Sequence, residues 1–203
     1  MSAMSTRERI LDAAARVMRE QGVAHATTKE IARAAGCSEA LLYRHFDDKQ
    51  GLFMAVLQER LPRFDLPDDA VGTSTVAANL ERLVSGLLDF YVDSFPVSAS
   101  IFSSSTLLAR HRESIAAKGA GPATPQLRVA AYLEAERAAG RVRSDADVEA
   151  VARLLVGAAL HQAFLATFWG EGGDTSDGQG AGASGPGLAG RLVAPVLPAL
   201  LPA

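Results

Sequence analysis

Apolar residues along this chain recur at three- and four-residue intervals, the spacing of a helix face, and no strand-like alternation appears. The first run, Ile10, Leu11, Ala14, Val17 and Met18, follows the capping-box pair Ser5 and Glu8, and Gly22 closes it. Thr27 and Glu30 repeat the box for a second helix with Ile31 and Ala34 or Ala35 inward, and Ser38 is placed to cap a third. Asp47 with Gln50 marks a fourth start, Leu52, Phe53, Val56, Leu57 and Leu61 supply its face, and Pro62 ends it.

The segment PRFDLPDDAVG, residues 62–72, is turn-rich and acidic and reads as a joint. A longer amphipathic helix is predicted from about Ser74 to Asp93, with Leu80, Leu83, Val84, Leu87, Leu88 and Tyr91 on one face, and Pro96 is expected to break it. Residues 97–110 read as helical but carry a hydroxyl density unusual inside a helix. After a loop near 118–125, one helix spans about Thr124 to Ala139 and ends at Gly140. Ser144 and Asp145 then open a long helix to Trp169 with Val148, Val151, Leu155, Ala158, Ala159, Leu165 and Trp169 on its apolar face. Its Gly157, Ala158 and Ala159 permit close approach of a neighbour.

Residues 170–187 are rich in Gly, Ser and Asp and predict a flexible loop. They lack the Gly-Lys-Ser/Thr ending and the preceding strand of a phosphate-binding loop. Leu188, Leu192, Val193, Val196, Leu197, Leu200 and Leu201 predict a last apolar helix that Pro195, Pro198 and Pro202 shorten or bend.

The stretch ATTKEIARAAGCSEALLYRHFDDK, Ala26 to Lys49, holds two short helical patterns, Thr28 to Ala35 and Ser38 to Arg44, separated by Gly36. A glycine tolerates the positive φ of a sharp turn, and the outline is that of a helix-turn-helix. The second piece is too short to build a core alone, yet it carries Glu39, Ala40, Tyr43, Arg44 and His45 on outer positions. Such a rod suits a DNA major groove, with base edges meeting its early residues and phosphates meeting flanking donors.

Bulk charge changes this picture little. The net charge is −3, and residues 1–60 carry nine Lys or Arg against eight Asp or Glu, so contact with nucleic acid needs locally placed cations. With 48% apolar and 21% charged residues the 203-residue chain is globular in composition and long enough for a small and a larger domain. One cysteine, Cys37, excludes an internal disulfide framework and suits a reducing compartment. The apolar run Leu154 to Trp169 is interrupted by His161 and Gln162 and is shorter than the roughly 20 residues a bilayer span needs, so the chain reads as soluble and cytoplasmic.

Residues 5–57 resemble the TetR family of one-component bacterial transcriptional regulators. The capped first helix, Gly22, TTKEIARAAGCS and LLYRHFDDKQGLF carry the likeness, with Tyr43, Phe46, Lys49 and Leu52 spaced as that family spaces them. The resemblance implies an all-α protein with a three-helix helix-turn-helix domain at 1–47 and a larger effector-binding and dimerisation domain at 48–203, joined by helix 48–61. It places Thr28, Tyr43, His45 and Lys49 where the family binds phosphates, and Lys29, Glu39, Ala40, Leu41 and Arg44 where side chains face base edges, with Ser38 capping that rod among the DNA-binding set. The chemistry agrees: hydroxyl, phenol, imidazole and ammonium all donate to phosphate oxygens, Arg44 can pair with guanine, and Glu39 can accept from cytosine N4. Leu41 departs from the small or polar residue common there, which suits packing as well as contact.

For the larger part the resemblance implies a ligand cavity among the middle helices and a homodimer through the last two. Phe90, Tyr91, Phe95, Phe102, Phe164 and Phe168 are candidates to line the cavity, with Ser104, Tyr132, His161 and Gln162 as polar anchors, and each has ordinary core packing as its competing role. The expected partners are a double-stranded palindromic operator, a second copy of the chain and a small apolar or amphipathic effector, with no membrane, cofactor or metal. The expected mechanism is a repressor whose two recognition rods sit one DNA turn apart until a ligand widens them, helix four acting as lever. A ligand-independent DNA-binding protein and a helical enzyme are the other readings. No nucleophile, base and orienter pattern favours the enzyme.

Overall fold

The computed structural model describes residues 4–22, 25–60, 71–117, 119, 121–169 and 187–202, and all regular structure among them is helical. In chain order the helices are α1 (Thr6–Gln21), α2 (Thr28–Ala34), α3 (Glu39–Tyr43), α4 (Lys49–Glu59), α5 (Val76–Phe102), α6 (Ser105–Ala116), α7 (Thr124–Ala138), α8 (Val148–Trp169), α9 (Leu188–Val193) and α10 (Leu197–Leu200). The joint expected at 62–72 lies largely, and the flexible loop expected at 170–187 almost wholly, outside the described residues.

Contacts divide the chain into two compact units, Met1–Pro62 with Pro96–Lys118, and Arg63–Phe95 with Gly119–Ala203. In the first, Ile10, Leu11, Ala14 and Met18 of α1 close over Ile31 of α2, Leu42 of α3, Phe46, and Leu52, Phe53 and Val56 of α4. Each Ile, Leu, Met, Phe or Val so buried contributes about 1.5–3 kcal/mol of apolar transfer. Around this core Arg7 forks onto both carboxylate oxygens of Glu59 at 2.8 and 2.7 Å, and its guanidinium lies 5.4 Å over the Phe46 ring. Helix α4, expected to act as connector from residue 48, thus packs with α1 through Leu52, Phe53 and Val56.

Helix α6 packs in the same unit. Arg110 donates to Asp48 at 3.3 Å and to Gln50 at 2.9 Å, Gln58 donates to Ser114, and Met54, Ile101 and Leu107 are buried together. The hydroxyl density of residues 97–110 has a local cause. The chain leaves one helix and enters another there, and Ser104 caps α6 by accepting from the Leu107 N–H at 3.3 Å.

Pro96 does not end its helix as expected; α5 runs unbroken from Val76 to Phe102. Proline removes one donor and crowds the preceding turn, but Ser94, Val97 and Ile101 around it are buried, and that packing holds the helix. The start of α8 also differs from the expected Ser144–Asp145. Asp145 is held by Arg143 at 2.9 and 2.7 Å, while Asp147 accepts from the Ala150 N–H at 2.9 Å and the helix begins at Val148.

In the second unit Leu80, Leu83, Val84, Leu87 and Leu88 of α5 meet Val129, Tyr132 and Leu133 of α7, and Val148, Val151, Ala152, Leu155 and Ala159 of α8. Glu136 is completely buried in this unit and receives two hydrogen bonds from Arg141 at 2.7 and 2.5 Å, while Arg141 also donates to the Ser74 carbonyl at 2.5 Å. Burial draws the Glu136 carboxyl upward, but Arg141 and the Tyr132 phenol outweigh it and leave it below its ordinary value. Helix α8, at 22 residues, is longer than the apolar run suggested and is long and apolar enough to cross a membrane by length and composition alone. Its buried line, Val148, Val151, Ala152, Leu155, Ala159 and Ala163, packs inside the unit, whereas Trp169 is exposed. The end of the chain is broken as its prolines suggested: α9 gives way to a 3-10 turn at Ala194–Val196 and then to the four-residue α10.

Candidate nucleic-acid interface

Local chemistry builds the helix-turn-helix. Thr27 accepts from the Glu30 N–H at 3.2 Å while Glu30 accepts from the Thr27 N–H at 3.4 Å, so α2 starts on a complete capping box. It stops where Gly36 takes φ 67° and donates to the Arg33 carbonyl at 3.2 Å, with the Cys37 N–H reaching back to Ala32 at 3.0 Å. A Cβ at Gly36 would meet nothing within 4 Å, so glycine is required by the backbone angle alone. Ser38 then caps α3, accepting from the Leu41 N–H at 3.2 Å, which leaves its hydroxyl proton free to donate.

Helix α3 holds to the core by one residue. Leu42 is fully buried, whereas Ser38, Glu39, Ala40, Tyr43, Arg44 and His45 are exposed and Leu41 is half-buried. Lys29 is exposed on α2, and Thr28 beside it is half-buried. Lys49, the first residue of α4, lays its ammonium 5.1 Å over the Phe53 ring, so its stem packs while its charge stays at the rim.

The structure joins three of the expected contacts directly. The Tyr43 phenol donates to the Thr28 hydroxyl at 3.2 Å, and that hydroxyl donates to Glu39 at 2.8 Å. A residue absent from the sequence-based set, Arg110, stands beside Lys49 through its bonds to Asp48 and Gln50. The Asp48 carboxyl is held below its ordinary range, first by the Gly51 N–H and then by Arg110. No local spacing announces an arginine more than sixty residues away in sequence. What the arrangement offers is an exposed edge of neutral and cationic donors together with an arginine, an aromatic ring and a methyl group.

The expected ligand-lining residues are distributed differently. Phe102, 73% exposed, and the α6 cap Ser104 belong to the first unit, while Phe90, Tyr91, Phe95, Tyr132, His161, Phe164 and Phe168 belong to the second. There Phe90 and Tyr91 meet edge to face at 5.0 Å. Phe164 stacks on His161 at 6.4 Å and on Phe168 at 5.8 Å, and its ring meets Phe95 at 6.1 Å. Tyr132 is buried, and desolvation with the adjacent Glu136 pushes its phenol far above the ordinary range. Gln162 is half-buried and His161 exposed.

Residues 10–56 match the family model described as bacterial regulatory proteins, tetR family. The transcriptional regulator BetI of Rhizobium meliloti is 40% identical over 91 residues, which span 44% of this chain and 44% of that relative's own length. Among solved structures, a TetR-family regulator from Mesorhizobium loti superposes with TM-score 0.73 at 18% identity over 97% of each chain. SmeT, the repressor of the Stenotrophomonas maltophilia multidrug efflux pump SmeDEF, superposes with TM-score 0.65 at 21% identity over 98% of this chain and 92% of its own. SmeT has also been solved as a complex with triclosan. At these identities the structures establish the shared all-helical fold.

Proposed function

We propose that this chain, which belongs to the TetR family of bacterial regulatory proteins, represses transcription by binding a palindromic operator as a homodimer, and that a small apolar or amphipathic ligand releases it. The observation that carries the DNA-binding part is the disposition of α3: one fully buried anchor, Leu42, beneath a rod whose remaining side chains face outward or sit at the rim. A five-residue helix with so little inward surface contributes little to its own unit's core, and its outer positions hold the residue types that meet phosphates and base edges. Thr28, Tyr43, His45, Lys49 and Ser38 would hold the backbone, and Lys29, Glu39, Ala40, Leu41 and Arg44 would face the bases.

A two-fold dimer supports such a site by presenting two copies of α3 about 34–36 Å apart. The outer side of α8 favours that partner. Leu154, Gly157, His161, Phe164 and Phe168 follow one another at alternating three- and four-residue steps and are all exposed, Leu154 by 63% and Phe168 by 65%. That is the spacing of a helix–helix seam, and Gly157 has open space where a Cβ would stand. The seam fits a second copy better than it fits a ligand, so Phe90, Tyr91 and Tyr132, half-buried or buried in the second unit, are the stronger candidates for effector contact. A ligand that lowers operator affinity 100-fold must prefer the released state by about 2.7 kcal/mol.

The test is selection of binding sites by the purified full-length protein from a random duplex pool, followed by affinity measurements across salt concentrations. Enrichment of an inverted repeat, with affinity falling steeply as salt rises, is the expected result. Failure to retain any duplex at low salt refutes the reading. Sedimentation of the wild type and of Leu154→Glu, expected as dimer and monomer, tests the seam separately.

A further inference from the structure

Three side chains from two helices form a hydrogen-bonded relay on the exposed edge. Tyr43 donates to the Thr28 hydroxyl, and Thr28 donates its single proton in a hydrogen bond to the Glu39 carboxylate at 2.8 Å. A threonine hydroxyl has one proton and two lone pairs. With its proton donated to Glu39 and a lone pair taken by the phenol, Thr28 points toward a negative charge and Tyr43 toward Thr28, both along the protein surface.

We infer that Glu39 is a specificity-determining residue that makes phosphate contact by Thr28 and Tyr43 conditional on base contact. The inference rests on the DNA-binding reading above. A duplex brought against Thr28 and Tyr43 sets a phosphate close to the Glu39 carboxylate, and the two like charges repel. The Thr28 proton becomes free for phosphate only when Glu39 turns away from it, and the Tyr43 phenol, which donates to Thr28, is released as Thr28 turns. Where the groove offers an amine such as cytosine N4, the carboxylate exchanges one donor for another and the hydroxyls are released. Where the groove offers only acceptors, the carboxylate either stays on Thr28 and blocks it or is desolvated without a donor, and both outcomes cost affinity. The same side chain therefore adds affinity on suitable sequences and subtracts it on the rest.

The experiment measures affinity at one fixed salt concentration for two duplexes, one of random sequence and one enriched from a random pool by the wild-type protein. The proteins are wild type, Glu39→Gln, Thr28→Val, the double variant, and Glu39→Gln with Thr28→Ser, each confirmed as helical by circular dichroism. Glu39→Gln is expected to tighten binding to the random duplex about fivefold per half-site, the scale of one like-charge contact in water. It should weaken binding to the enriched duplex, so that the ratio of the two falls. In the Thr28→Val background the tightening should shrink, because only the charge repulsion is left to relieve, and in the Thr28→Ser background, which keeps the hydroxyl that Glu39 holds, it should persist in full. Unchanged binding of Glu39→Gln to random sequence, or equal tightening with Thr28→Val, overturns the inference and leaves DNA binding intact. A wild type that binds neither duplex at low salt overturns the DNA-binding reading and the inference with it.

Discussion

Adjacent residues Leu42 and Tyr43 should respond to mutation in opposite ways. Leu42 is 0% exposed and is the one buried residue of α3, whereas Tyr43 is 46% exposed. Leu42→Ala removes the anchor from a core shared with Ile10, Ile31, Phe46 and Leu52, and a fully buried leucine truncated to alanine costs about 2–5 kcal/mol. In a unit of this size each kcal/mol moves the melting temperature by about 4–8 °C, so a fall of roughly 10 °C or more is expected for that unit. Tyr43→Phe leaves the ring and removes only an exposed hydroxyl, for which about 0.5 kcal/mol of stability is a ceiling. Its effect should appear in DNA binding, at about tenfold per half-site, the scale of one hydrogen bond to a charged acceptor. Thermal unfolding followed by far-UV circular dichroism, paired with anisotropy titration of a labelled duplex, separates the two. A stable Leu42→Ala protein, or a Tyr43→Phe protein that melts early with its DNA affinity intact, would refute the one-anchor account of α3.

Lys49→Gln should reduce the slope of log affinity against log salt by about 0.9 for each phosphate that the side chain no longer neutralises, while leaving sequence preference unchanged; a shifted preference would place Lys49 on a base. Gly36→Ala should destabilise by about 1–2 kcal/mol in denaturant unfolding, because φ 67° strains an L-residue although the space is open; a neutral result would mean that the turn relaxes. Glu136→Gln tests the buried pair through pH. The native carboxyl lies below its ordinary value, so its stabilising contribution is present above the ordinary carboxylate range near pH 4.3 and is lost as pH falls through the lowered value. The stability gap between wild type and variant should therefore narrow on acidification, and a gap that stays constant would contradict the assignment.

Features carried by neighbouring residues were legible in the sequence. The boxes Ser5–Glu8 and Thr27–Glu30, the cap Ser38 and the turn glycine Gly36 each act within a few residues, and the structure places them as read. The outward set on α3 followed for the same reason, since Leu42 and Phe46 are the apolar positions that its short period turns inward.

What the sequence concealed was decided by partners distant along the chain. Pro96 reads as a helix end because its local cost is real, yet burial of Val97 and Ile101 on one side and Ser94 on the other outweighs that cost. Asp145 reads as a cap until Arg143 takes it, and the next acid along, Asp147, inherits the role. Helix α6 reads as part of the larger domain until Arg110 and Ser114 meet Asp48 and Gln58. The relay through Thr28 belongs with these cases, since Glu39 and Tyr43 stand eleven and fifteen residues from it. Read singly, Glu39 is a solvated charge or a base contact. Once its carboxylate is seen to hold the hydroxyl that would serve a phosphate, holding Thr28 and meeting a base become competing uses of one side chain, and on the inference above sequence preference and backbone affinity are coupled at this edge.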